Sequence, residues 1–427
     1  MTVETAQNKN IQYVLAIPNF RRLWIGQTIS QIGDGLTSLA LLIVINQLTG
    51  TTTALATMMI VIALPQLVFG MLAGVYIDRW DRRKIMIVSD VIRGLLVLGF
   101  ILVRRPQDVW IFYVLGFLQA AVGTFFDPAK SALIPNIVER DALLAANGLS
   151  QTTRVITSVV GSALAGVLVG AMHGAWGAFT LDAVSFFVSA VFISRIRLPK
   201  SVAAVEKSTA ASRIGPRQVL SQLAEGLRYL LGSRLLVGVM VTLAVTMLGI
   251  GAVNVLIVPY LINTLRVPTM ALGVIDTAQV IGMIIGGASL TVLAARLKST
   301  TIIIFGVFLL GLFVVLFGTA GSIWLALVAL FLVGLALAPL QAALAALLQA
   351  TIPDDKRGRA NATMNTVITL ASVVSMASAG LLGDWLGVRQ VFYLSGGITL
   401  LAGFLAAALM RAPHSPALAA KELPLDV

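Results

Sequence analysis

Four polar residues recur at helical spacing in an otherwise apolar run near the start of the chain: Gln27, Gln31, Asp34 and Ser38, at i, i+4, i+7 and i+11. On a helix they form a single stripe. Counted from Leu23, Asp34 lies about 17 Å along that helix at about 1.5 Å per residue, near the middle of a bilayer. A carboxylate there is expensive in lipid and has to face a cavity or a partner. It can bind cargo or a proton, or it can serve a buried structural hydrogen bond. Asp182 and Asp276 fall a turn or two inside later apolar runs, near the outer surface. They are expected as outer-gate acids or proton sites, with helix capping as the competing reading. Asp90 and Arg93, at i and i+3, are expected to form a local ion pair. Asn254 and Pro259 are expected to line a cavity and to permit a bend.

Other chemistries lack their residues. The chain has no cysteine and two histidines, His173 and His414. Disulfides, thiolate metal sites and cysteine nucleophiles are therefore excluded. Neither histidine stands with carboxylates at metal-ligand spacing. No glycine-rich phosphate loop with Gly-Lys-Ser/Thr occurs, which argues against an ATP-driven pump and, with the missing constellations, against an enzyme. No cofactor is expected.

The elements that must hold these residues are membrane helices. Of 427 residues, 58% are hydrophobic and 11% charged, with a mean hydropathy of +0.96. A soluble domain carries about 25% charged residues. Spans are expected near 23–46, 54–77, 85–103, 109–127, 145–171, 175–194, 235–261, 270–294, 300–320, 323–350, 360–386 and 389–410. No cleavable leader precedes the first, which is read as an uncleaved anchor. A polar segment, 195–234, containing an amphipathic stretch from Gln218 to Leu231, divides an N-terminal six-helix half (1–194) from a C-terminal half (235–427). With the termini inside, 25 of the 30 lysines and arginines fall on that side and 4 on the other. The bias predicts cytoplasmic termini. It also accounts for the net charge of +12 without a nucleic-acid partner.

The halves repeat. Residues 146–166, ANGLSQTTRVITSVVGSALAG, match 360–380, ANATMNTVITLASVVSMASAG, at nine of 21 positions with an offset of 214. Chance similarity of two Ala/Gly/Ser-rich helices is the alternative, but an asparagine near both helix starts speaks against it. A parallel repeat is a known transporter architecture. Small residues four apart mark close helix contacts in spans 2 (Gly70, Gly74), 5 (Ser158, Ser162, Gly166, Gly170), 8 (Ala278, Gly282, Gly286) and 11 (Ala371, Ser375, Ala379, Gly383).

Between spans 2 and 3 the chain reads GVYIDRWDRRK, Gly74 to Lys84. This loop resembles the signature loop of the major facilitator superfamily. NFRRLWIGQTISQIGD (19–34), FFDPAKSALIPNIVERDALLAANGLS (125–150), EGLRYL (225–230) and IPDDKRGRANA (352–362) are similar to its twelve-helix drug and macrolide efflux branch. The resemblance implies an all-α integral membrane fold of twelve transmembrane helices in two pseudo-symmetric six-helix bundles, with spans 2, 5, 8 and 11 at their interface. It implies a monomeric secondary transporter of a bacterial inner membrane, exporting a small amphipathic organic substrate such as a macrolide by alternating access, with protons as the coupling ion. Export of a siderophore or other metabolite, or lysolipid movement, is the alternative. A membrane-embedded enzyme or sensor lacks the residues it would need. The resemblance also implies a conformational latch at Gly74, Asp78, Arg79, Arg82 and Arg83. The arginines would pair with Asp127, and Asp78 would engage the start of span 11. Against this, the loop cations can serve simply as positive-inside anchors, the reading preferred for Lys84. The chain departs from the pattern at Asp81, where the loop usually has Gly, and at Ser162, where efflux pumps often have Pro after Gly161. Gly116 to Gln119 also lacks the span 4 arginine of related proton antiporters.

Overall fold

Between points where the sequence supplies caps or left-handed turns, the chain runs as long helices. In the computed structural model, which describes residues 10–77, 80–172, 174–197 and 216–410, Pro18 opens the first span and Gly50, at φ +66°, ends it. Ser233 and Ser322 cap later spans through Leu236 N and Leu325 N. Asp81 caps the third, accepting from Arg83 N (3.0 Å) and Lys84 N (3.2 Å). The acid that replaces the usual glycine of the signature loop is thus a helix N-cap.

The spans are α1 Pro18–Thr49, α2 Thr52–Ile77, α3 Arg82–Gly99, α4 Val109–Ile137, α5 Leu143–Met172, α6 Trp176–Ser194, α7 Arg234–Pro259, α8 Leu272–Arg296, α9 Ser299–Thr319, α10 Ile323–Thr351, α11 Asp354–Leu386 and α12 Val388–Met410. All twelve are long and apolar enough to cross a membrane. Several exceed their expected bounds. α1 has 32 residues, about 48 Å, against a hydrocarbon core of about 30 Å. α4 runs through Pro128 and Pro135 to Ile137, because a membrane helix tolerates proline where neighbours satisfy the freed carbonyls. Lys130, expected with the charges of the 4–5 region, therefore lies within a helix. After Pro259, α7 continues as one π-turn, Tyr260–Thr264. The Tyr260 hydroxyl sits between the carbonyls of Gly318 (2.9 Å) and Ala320 (2.8 Å). The linker's amphipathic stretch forms a helix, Pro216–Leu231, held on α11 by the Glu225–Arg359 ion pair and by Thr363 Oγ1 donating to the Leu223 carbonyl (3.3 Å).

Packing repeats between halves. α1 lies on α5 and α6, α2 on α4, and α3 on α4 and α6; likewise α7 lies on α11 and α12, α8 on α10, and α9 on α10 and α12. The two halves meet mainly through α2 with α11 and α5 with α8. The small-residue stripes divide between the two kinds of contact. A Cβ on Gly166 would lie 3.0 Å from the Thr269 carbonyl and 3.1 Å from Gly273 N, and one on Gly273 would collide with Ala163 of α5. Gly380 and Gly383 lie against Ala56, Thr53 and Thr52 of α2. Gly282 and Gly286 do not reach the other half: they face the Phe331 and Leu335 carbonyls of α10. Their stripe packs α8 within its own half, because the interface takes the start of that helix, around Gly273 and Asp276.

Among the described residues, the hydrogen bonds and close glycine approaches between the two helical bundles cluster at one end. This is the end of the α1–α2, α5–α6, α7–α8 and α11–α12 connections. Trp110, Trp176, Trp324 and Trp385, all strongly exposed, stand at helix ends on that same side, as an interfacial aromatic belt would. Asn46 and Asn263 exchange amide hydrogen bonds there at 3.2 Å. The strongest tie is Asp384, near the end of α11. Its carboxylate accepts from Thr52 N (2.6 Å), Thr52 Oγ1 (2.8 Å), Thr53 N (3.1 Å) and Thr53 Oγ1 (2.6 Å). One acid thus caps the first turn of α2 from the other half of the molecule. Asp384→Ala should weaken closure by about 1–2 kcal/mol, the usual worth of a helix cap. Pulsed spin-label distances between Gln47→Cys and Trp385→Cys should then spread to longer values; an unchanged distribution would show that the cap does not hold this end shut.

Candidate functional site

At the opposite end the helices enclose a cavity of about 670 Å³ lined from α1 to α5. The α1 stripe forms one wall, and Gln27, Gln31, Asp34 and Ser38 all reach it. Each is fixed differently. Gln27, nearly buried, donates to Ser189 Oγ of α6 at 3.3 Å. Gln31 accepts from Thr157 Oγ1 of α5 at 3.1 Å. Ser38 donates back to the Asp34 carbonyl at 2.7 Å, leaving its hydroxyl tied to its own helix. Asp34 accepts from Arg93 Nη2 of α3 at 2.6 Å.

That last contact corrects the expected Asp90–Arg93 pair. Arg93 turns across the bundle to Asp34, and its guanidinium lies 4.2 Å from the centroid of the Phe186 ring. Gly123 of α4 lies alongside it: a Cβ there would stand 3.8 Å from Arg93 Nε, an ordinary contact. Asp90 is fully buried, and neither carboxylate oxygen has a hydrogen-bond partner. The local pair fails because Arg93 finds a ring and a cavity-facing acid on the side away from Asp90. The side chain of Arg93 is 14% exposed and that of Asp34 37%, and both line the cavity.

Asp182 is not at an outer gate. It is 0% exposed, inside the N-terminal bundle, and accepts from Thr37 Oγ1 of α1 at 2.5 Å and from Ser185 Oγ at 3.3 Å. α6 turns this residue toward α1, where a side chain at Gly33 would collide with it. Asp276, half-buried near the start of α8, faces Ser162 of α5 across the two halves. Asn254 is exposed and makes no hydrogen bond among the described residues. α7 buries Gly251, Ala252, Val255 and Leu256, that register turns Asn254 to a different face, and Asn254 is not among the residues that line the cavity.

The latch residues are only partly described. Gly74 lies in the last turns of α2, while Asp78 and Arg79 lie outside the described residues. Arg82 Nη1 donates to the Ala132 carbonyl at 3.1 Å. Arg83 donates to the Ile193 carbonyl at 3.2 Å and to that of Ser194. These last two are carbonyls at the C-terminal end of α6, and that of Ile193 also accepts from Ile196 N at 3.1 Å. Asp127 instead pairs with Lys130 one turn along α4, at 3.1 Å. Among the described residues the expected pairing of Asp127 is replaced by Lys130: both members of the α4 pair face the cavity, while Arg82 and Arg83 reach backbone carbonyls, and Arg79 lies outside the described residues.

One cavity residue was not singled out from the sequence. Arg154 of α5, counted with the basic charge of the 4–5 region, lines the cavity with Ser158 and Ser162 at i+4 and i+8. The internal repeat carries a signal for it: its counterpart at the offset of 214 is Ile368, so the cation breaks the repeat. Among the described residues no three of His, Asp or Glu converge as metal ligands.

The site is a polar, ion-lined cavity whose walls come from α1 to α5. A model of the transmembrane secretion effector family matches residues 14–424. YfiS of Bacillus subtilis (strain 168), an uncharacterized major facilitator-type transporter, is 30% identical over 395 residues, 89% of this chain and 90% of the relative. Macrolide efflux protein A of Streptococcus pyogenes is 24% identical over 384 residues, 88% of this chain and 92% of the relative. Among solved structures, a bacterial homologue of the iron transporter ferroportin in an inward-facing state matches with a TM-score of 0.74 at 17% identity, covering 93% of this chain and 99% of that one. The chain belongs to the transmembrane secretion effector family of the major facilitator superfamily: it is a multi-pass membrane protein and a secondary transporter, not an enzyme.

Proposed function

We infer that the protein exports an amphipathic organic molecule from a bacterial cell in exchange for protons. The observation that carries the reading is the Asp34–Arg93 pair. It sets an acid on the wall of the cavity near mid-bilayer, where a charge is retained only for a reason. With both termini cytoplasmic, as the charge bias indicates, the open end faces the cytoplasm and the cavity takes cargo from inside. Residues 1–194 and 235–427 then rock as two halves joined by 195–234. On outward opening a proton reaches Asp34, the pair loses its charge complement, and Arg93 is freed. Asp90, one turn back on the same helix with both oxygens unbonded, is the acid left to receive it. The Asp384 cap and the Asp276–Ser162 contact break in that step. In the alternate state Gly74, Asp78, Arg79, Arg82 and Arg83 close the cytoplasmic end, with Asp127 available to them once it leaves Lys130.

The family's secretion description and the named activity of the streptococcal relative support export, with a macrolide as one cargo and drug resistance as the outcome. A second reading, export of a charged metabolite, is favoured by the ionic lining of the cavity. In both readings the carrier works as a monomer in the inner membrane.

Two experiments follow. In liposomes holding the purified protein, an imposed pH gradient should drive macrolide movement, and Asp34→Asn should reduce the driven rate about 100-fold or more, the scale of a lost proton-transfer group. If the gradient drives both proteins equally, Asp34 is not the coupling acid. For the pair itself, Arg93→Gln leaves Asp34 without its cation. After discounting for the exposure of Asp34, it should cost about 1–3 kcal/mol. The double variant Asp34→Asn/Arg93→Gln should recover part of the lost melting temperature, and purely additive losses would show that the two side chains do not interact.

A further inference from the structure

The ionised side chains of the cavity are Asp34, Arg93, Asp127, Lys130 and Arg154. Arg93 is matched by Asp34 and Lys130 by Asp127. Arg154 is exposed to the cavity and has no side-chain partner among the described residues. Among the residues that line the cavity, three cations stand against two acids; Asp90 is buried outside the lining. Arg154 lies 11 residues into the 30-residue α5, about 17 Å along the helix. It faces the cavity. In the open state water answers it. When the halves close over the cavity that water leaves, and a guanidinium with five donors is left to be matched or stranded.

The second half offers no match. Among the described residues, every ionised side chain of α7 to α12 lies within about two turns of a helix end: Arg234, Asp276, Arg296, Asp354 to Arg359, Asp384 and Arg389. Ile368 stands at the position that repeats Arg154. The matching charge has to arrive with the cargo.

We propose that Arg154 is the cavity's anion subsite, and that the cargo carries a carboxylate or similar singly charged anionic head on an apolar body. Ser158, one turn further along α5, and Gln31, held by Thr157 on the facing helix, supply polar neighbours for such a head. The apolar body lies toward the second half. The proposal rests on the cavity being the cargo site.

The chain contains no cysteine, so Ser158→Cys gives a single thiol inside the cavity. In nanodiscs, its maleimide labelling is measured against 4-phenylbutyrate, 4-phenylbutanol and 4-phenylbutylamine, which share one body and differ in head charge. Each variant is normalised to its own rate without probe. The carboxylate should protect at about tenfold lower concentration than the alcohol or the amine, the scale of one charge-assisted contact. Arg154→Gln should erase that preference while leaving protection by the alcohol, Arg154→Lys should keep part of it, and Arg154→Glu should transfer it to the amine. Protection by all three probes without preference, or a preference that survives Arg154→Gln, overturns the anion subsite and leaves the cargo cavity standing. No protection by any probe overturns both.

Discussion

An ion pair between Asp34 and Arg93, 59 residues apart in sequence, sets the character of the whole N-terminal bundle. Neither partner is tolerable alone at that depth, since the cost of a bare charge there is about 2.5–3.5 kcal/mol or more. α1 and α3 must therefore present these two residues to each other across a cavity. Much of the surrounding sequence accommodates that. Phe186 lies against the guanidinium of Arg93, and Gln31 is braced by Thr157 on α5. Beneath them Asp182 is satisfied entirely by neighbouring hydroxyls, so it ties α6 to α1 without drawing on Arg93. The pair has one loose end, Asp90, buried and unbonded. Ser189 is the hydroxyl that stands nearest to it.

The contact between halves follows a different rule. It is made of backbone approaching backbone at Gly166 and Gly273, amide exchanging with amide at Asn46 and Asn263, and one carboxylate capping a helix start. Each is modest in energy, and each can be replaced by water when the end opens. An ion pair desolvated between the halves would be far costlier to break on each cycle. The Asp384 cap is a compromise. It is charge-assisted, but it lies at a rim where solvent can take over both partners.

Much of this was legible in the sequence. The twelve spans follow from apolar length, and the polar stripe of α1 from spacing alone; all four of its members reach the cavity. What was missed depended on facing, not on composition. Arg93 has an acid at i−3 and a better one 59 residues away, and only the packing of α3 against α1 decides between them. Asp182 is assigned by depth, but depth does not tell which way a helix is rotated. Gly282 and Gly286 show the same ambiguity, because a small-residue stripe marks a close contact without naming the neighbour. Asp81 looked like an irregularity in a signature and proved to be ordinary capping chemistry, visible once the start of α3 is fixed. Arg154 was concealed by bookkeeping: counted toward orientation with the 4–5 region, a cation inside a cavity is indistinguishable from an anchor.

The two halves share a fold but divide the electrostatics between them, and that division has a mechanical consequence. If the deep ions were spread over both halves, rocking would pull charges apart and push them together in each transition. The barrier would then depend on whatever ions happened to meet. With the deep charges confined to α1 through α6, the pairs travel together as the halves move, and the second half presents neutral helix centres. The exchange of Arg93 between acids then becomes a rearrangement within one bundle, and the closing motion is sensitive to the N-terminal half only through the net charge its cavity exposes. A carrier built this way can register whether that charge has been answered without forming a salt bridge between its halves. That is a reason for one unmatched cation to stand on α5, the helix that also forms the interface with α8.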